Sequence, residues 1–202
     1  MARTKYLKAL NAYTGLMEEA KYRLLATDIA LGGATGLPDG AIREYCFLQL
    51  RMLCELIALG CLTAHGDLAT GKLKGNYEAD RIIRGLQPLH RHFYPIAATL
   101  TEEPRSIRLH EDGFLTKEEL QKLYRRCHDV LHRGSFKAQP SKGYSDADIE
   151  EIRTWKKKIE AFRCHAIYMA DNRTMAVFWF QDGRTWWGTF EGDQIAHLGQ
   201  LP

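Results

Sequence analysis

The sequence predicts a mainly α protein, a helical bundle followed by a small C-terminal antiparallel β-meander. Three observations predict it. A run at residues 42–62 is apolar over most of its circumference, as the central helix of a bundle must be. Segments on either side of it repeat their apolar residues at a helical period. Beyond residue 163 aromatic and β-branched residues take over, broken by Asp171-Asn172 and Asp182-Gly183, which marks strands and tight turns. Residues 1–162 are therefore expected to form the bundle, and 163–202 a β-rich extension packed on it.

The bulk properties narrow the classes. A chain of 202 residues can bury a proper core, and 45% hydrophobic with 26% charged residues is ordinary for a soluble globular protein. A formal charge of +3 permits a nucleic-acid partner without requiring one. The five cysteines, Cys46, Cys54, Cys61, Cys127 and Cys164, are odd in number and form no C-x-x-C pair. Free thiols in a reducing, cytoplasmic setting fit them better than a disulfide framework. The first twenty residues are charged and lack the apolar stretch of a signal peptide. Arg43, Glu44, Arg51 and Glu55 interrupt the apolar run, so it reads as a buried helix and no membrane partner is expected.

The elements follow in order. A first helix is expected over residues 4–31, and "GGATGLPDG" is a loop closed by Pro38-Asp39. The apolar helix comes next, with Glu44, Arg51 and Glu55 on one stripe. Asn76 is placed to cap a short helix, "YEADRIIRGL". "QPLHRHFYPIAATLTEEPRSIRLHEDG", bounded by prolines, reads as irregular. Thr116 and Glu119 form a capping box that opens the next helix, for which Gly134 is a natural stop. Ser145 is a plausible cap for a fifth helix carrying Ile149, Ile152, Trp155, Ile159 and Phe162. Three antiparallel strands close the chain.

The functional lead lies in "LYRRCHDVLHRG". At about 100° per residue, Leu120, Leu123, Tyr124, Cys127, Val130 and Leu131 share one apolar face, with Cys127 near its centre as a small buried hydrophobe. Arg125, His128 and His132 fall on one flank of this face; Arg126, Asp129 and Arg133 fall on the other. A guanidinium beside two imidazoles suits cleavage of RNA by its own 2′-hydroxyl. That reaction needs a group that exchanges a proton near neutrality and a fixed positive charge for the phosphorane oxygens. The plainer alternative is that these residues are the solvated side of an amphipathic helix.

"GFLTKEELQKLYRRCHDVLHRGSF", together with the "LRMLCELIALG" helix before it, resembles HEPN-superfamily helical domains, and the segment "YEADRIIRGLQPLHRHFYP" resembles uncharacterised bacterial HEPN-like proteins. The likeness spans residues 42–136 and leaves out the β-rich tail. It implies an RNA-directed protein that acts as a homodimer, many such proteins being metal-independent endoribonucleases of toxin or defence type; a protein partner such as an antitoxin is the other one it admits. The superfamily motif is an arginine, four to six residues, then a histidine. His132 takes the histidine place; Arg126 precedes it with five residues between and Arg125 with six, while Cys127 and the polar His128 stand at the four-residue spacing. Catalysis would rest on His132 and on Arg125 or Arg126, with His128 as a second proton carrier and Asp129, Glu55 and Arg51 in support. The same resemblance also admits a non-catalytic interaction or regulatory module.

Other constellations are weaker. Arg51 and Glu55, four apart in an apolar helix, are expected to pair with each other or with the motif helix. His90 and His92 lack a third ligand at suitable spacing, so neither a metal nor any other cofactor is expected. The aromatic tail, with Phe178, Trp179, Phe180, Trp186, Trp187 and Phe190, makes both sheet faces apolar. A dimer contact explains this better than base stacking.

Overall fold

The computed structural model describes residues 2–101, 106–132, 146–191 and 194–200. These contain helices α1 (Ala2–Leu31), α2 (Asp39–Ala64), α3 (Gly71–Lys74), α4 (Ala79–Leu86), α5 (Lys117–Leu131) and α6 (Asp146–Glu160). The strands are β1 (Ile96–Thr101), β2 (Ser106–Leu109), β3 (Cys164–Tyr168), β4 (Thr174–Gln181), β5 (Arg184–Glu191) and β6 (Gln194–Gln200).

The expectation of a mainly helical bundle with a small meander is corrected: the fold is mixed α/β. One six-stranded sheet runs in the order β2-β1-β3-β4-β5-β6, and every neighbouring pair is antiparallel. The segment read as irregular supplies two of its strands. β1 pairs with β2 from Ala98↔Leu109 to Thr101↔Ser106, and its other edge meets β3 at Ile96↔Ala166 and Ala97↔His165. Backbone groups in β1 are thus satisfied by a strand far along the chain, which no local pattern announces. The sheet draws strands from both sides of residue 162.

α2 is the hub of the helical layer. Leu50, Leu53, Cys54, Ala58 and Cys61 have no exposed surface, and 67% of its most apolar window is buried. By length and composition it is the one described helix able to cross a membrane. α1 lies against it with a close approach at Gly60, where an added Cβ would stand 2.9 Å from the Tyr13 ring. α1 then meets the sheet: Tyr6, Leu10, Tyr13 and Met17 pack with Ile167, Met169, Ala176, Phe178 and Trp187. The strands' period of two sends Ala166, Val177 and Phe190 to the opposite face, where Leu100, Ile107, Leu109, Met175 and Trp179 gather.

Local chemistry sets the boundaries. Thr116 Oγ1 accepts from the Glu119 amide and the Glu119 carboxylate accepts from the Thr116 amide, the expected capping box. Asn76 does not cap α4, whose N-cap is Glu78 without a side-chain bond; its amide donates to Lys72 O at the end of α3. Asp182 and Gly183 both have positive φ, 51° and 76°, matching the two-residue turn between β4 and β5. Asn172, also left-handed at φ 55°, turns β3 into β4. Gly134 and Ser145 lie outside the described residues.

Candidate active site

α5 presents its apolar face to the core and leaves its two polar flanks in different company. Leu120, Leu123, Tyr124 and Cys127 are buried. Cys127 has no exposed surface, and burial pushes its thiol up to about 12, so it is a packing residue and no nucleophile.

On one flank Arg126 is fully engaged. Its Nε and one terminal nitrogen donate to the Glu151 carboxylate at 2.9 and 2.8 Å, Asp148 lies 3.8 Å away, and its guanidinium carbon sits 5.3 Å from the centre of the Phe47 ring. These bonds hold the guanidinium above its ordinary range, and the same bonds hold Glu151 below its own. Arg126 therefore ties α5 to α6. Asp129, further along this flank, is exposed.

The other flank is open. Arg125, His128 and His132 are all exposed. Arg125 Nε donates to Gln121 O at 3.2 Å, and among the described residues the guanidinium has no other partner. His132 is the C-cap of α5, with its backbone N–H donating to His128 O at 3.0 Å. The cap stops the helix but keeps the two imidazoles together: their ring centres are 4.2 Å apart with planes at 45°. The fold thus keeps Arg125 free beside the histidine pair and takes Arg126 away from it.

Arg51 and Glu55 form a separate knot. Arg51 Nε donates to Glu55 Oε1 at 3.2 Å, and the Tyr124 hydroxyl donates to the same oxygen at 3.1 Å. The guanidinium lies 5.0 Å from the centre of the Tyr124 ring. Burial, together with the Glu55 charge, pushes the Tyr124 hydroxyl up to about 12. Glu55 is spent on this knot, which joins α2 to α5 through Tyr124.

Three other histidines sit at the junction of helices and sheet. His165 is 1% exposed; its Nδ1 donates to Phe162 O at 2.6 Å and its Nε2 accepts from the Tyr13 hydroxyl at 2.9 Å. Burial holds it neutral, with its pKa lowered to about 4. Both nitrogens of His65 face carbonyl oxygens, Cys61 O at 2.8 Å and Tyr168 O at 2.9 Å. Only an imidazolium donates to both, but burial holds the ring below its ordinary range, and the neutral ring answers one carbonyl. His90 is buried and Nε2 donates to Met169 O at 3.1 Å, whereas His92 is exposed with its ring 5.5 Å from that of Tyr168. Their two-residue spacing thus sends them to different surroundings. Among the described residues no three His, Cys, Asp or Glu side chains are grouped to hold a metal ion.

Sequence reasoning missed one further group. Arg91, His92, Tyr168 and Asn172 line a groove of about 600 Å³ floored by Ile96 and Leu109. Of these only His92 stood out in the sequence, because the groove forms from three segments that meet through sheet pairing. Comparisons of the chain with protein-family models, with curated proteins and with solved structures find no match.

Proposed function

We propose that this chain is an RNA-directed, HEPN-like protein acting as a metal-independent endoribonuclease of toxin or defence type. The observation that carries this reading is the exposed histidine pair, 4.2 Å between ring centres, on the flank of α5 that also bears the uncommitted Arg125. One imidazole takes the proton of a ribose 2′-hydroxyl, whose oxygen attacks the adjacent phosphorus. The P–O5′ bond then breaks, and the other ring, as the imidazolium, protonates the leaving oxygen. Arg125 offers charge to the non-bridging oxygens. His132, at the helix end, is assigned one proton transfer and His128 the other. Products carry a 2′,3′-cyclic phosphate and a 5′-hydroxyl.

The exposed apolar residues Tyr22, Leu25 and Ile29, spaced i, i+3, i+7 on α1, support a partner contact, a second copy of the chain being the first choice. The same stripe favours the second reading, a non-catalytic interaction module whose partner is another protein.

RNA cleavage by the purified chain tests the assignment. His132→Ala is expected to lower the rate by a factor on the order of 10² to 10⁴ without changing the fold, and a chelator is expected to leave the wild-type rate alone. Wild-type protein, verified as a dimer, that leaves both structured and single-stranded RNA intact overturns the nuclease and leaves the interaction module.

A further inference from the structure

We infer that the groove lined by Arg91, His92, Tyr168 and Asn172 is a nucleotide-binding site, with the phosphate on Arg91, the base laid over the Tyr168 ring and the tilted His92 ring at its edge. The groove lies where the segment after α4 passes the second face of the sheet. Its volume, about 600 Å³, is within the range of small-molecule sites. The lining combines two apolar side chains, Ile96 and Leu109, with a guanidinium, an imidazole, a phenol and a carboxamide. A planar ring that also carries an anion uses all of these groups; an apolar ligand uses two of them, and a bare anion has no use for the floor.

Charge favours the anion. Arg91 has no ion-pair partner among the described residues. Asp171, beside Asn172, turns its oxygens to the amides of Arg173 and Thr174 and to the Thr174 hydroxyl. Those bonds keep it a carboxylate, with its charge answered by these donors and not by Arg91.

The site is also held in shape by its neighbours. His90, next to Arg91, is fastened through Nε2 to Met169 O. The Tyr168 carbonyl lies 2.9 Å from His65 Nε2, and the Asn172 amide donates to Met169 O at 2.9 Å. Arg91, Tyr168 and Asn172 therefore spring from a fixed residue or from the one after it, which lowers the ordering cost of binding. His90 itself does not line the groove; its ring packs against that of His65, 4.6 Å between centres. None of these residues belongs to the α5 row, so the inference stands whether or not that row cleaves RNA.

Calorimetric titration of the full chain with adenosine monophosphate, adenosine, inorganic phosphate and a short single-stranded oligoadenylate tests it. The monophosphate is expected to bind saturably and more tightly than adenosine or phosphate. Arg91→Ala is expected to weaken the monophosphate by roughly tenfold while leaving adenosine unchanged, as loss of a charge-assisted phosphate contact requires. Tyr168→Ala should weaken both, and Asn172→Gly, which keeps the left-handed backbone, reports on the carboxamide alone. Tighter binding of the oligoadenylate, with the same losses in the variants, makes a strand of RNA the source of the nucleotide; weaker binding makes it a free nucleotide. No saturable monophosphate binding at millimolar concentration, equal binding of phosphate alone, or affinities untouched by both Arg91→Ala and Tyr168→Ala overturns the inference.

Discussion

His165 lies at the start of β3 and His132 at the end of α5, and they differ in what surrounds the ring. Both nitrogens of His165 are used, one on the Phe162 carbonyl and one on the Tyr13 hydroxyl, and the ring is stacked on Phe178 at 5.2 Å. His132 touches another imidazole and solvent. The same side chain is a structural pin in one place, whereas in the other its ring has no hydrogen-bond partner among the described residues. What separates them is whether neighbouring backbone and hydroxyl groups have claimed both nitrogens. The two flanks of α5 repeat the contrast with arginine, since Arg126 is claimed by Glu151 and Arg125 is not.

The largest effect expected from this contrast is in acid. The folded-state pKa of His165 is lowered to about 4 from an ordinary 6.5, so the folded protein resists a proton that the unfolded chain accepts. The contribution is fully present above pH 6.5 and is lost as pH falls towards 4, by about 3 kcal/mol over that window. Urea unfolding at several pH values, compared between wild type and His165→Gln, should show the wild type losing more over this window. Parallel curves would mean that His165 is not held neutral. A smaller effect separates the arginines: Arg126→Ala should cost about 1 kcal/mol by leaving Glu151 without its bidentate partner, and Arg125→Ala less than about 0.5 kcal/mol. Equal costs would erase the distinction between the flanks. Between these two lies Thr116→Ala, which removes the cap at the far end of α5 and should cost about 0.5–1 kcal/mol in thermal or urea unfolding while leaving the histidine row intact.

The parts of this molecule that were legible in the sequence are those fixed by neighbours in the chain. The apolar circumference of α2, the Thr116–Glu119 box, the buried face of α5 around Cys127 and the Asp182-Gly183 turn each follow from a local rule. β1 and β2 do not. "IAATLT" and "SIRL" are short, follow Pro95 and Pro104, and become strands because β3 offers Ile96 and Ala97 a partner edge. The candidate row divides the same way. Its helical spacing was readable and already put Arg125, rather than Arg126, on the flank of His132; that Glu151 of α6 takes Arg126 was not. The claim of Tyr13 on His165 was invisible, because 152 positions separate them.

Gly60 has a consequence for how the two layers of the fold communicate. The Tyr13 ring that fills the space a Cβ would occupy there is also stacked on Phe178 at 4.3 Å and bonded through its hydroxyl to His165. A single aromatic ring thus works as a spacer gauge, touching the helix behind it and the sheet in front of it. A methyl group at position 60 has no flexible side-chain end to displace, only a ring pinned on its far side. The added thickness must pass through that ring into β3 and β4, tilting the sheet on its helical support. The distance between α1 and α2 is therefore also the setting that seats the sheet.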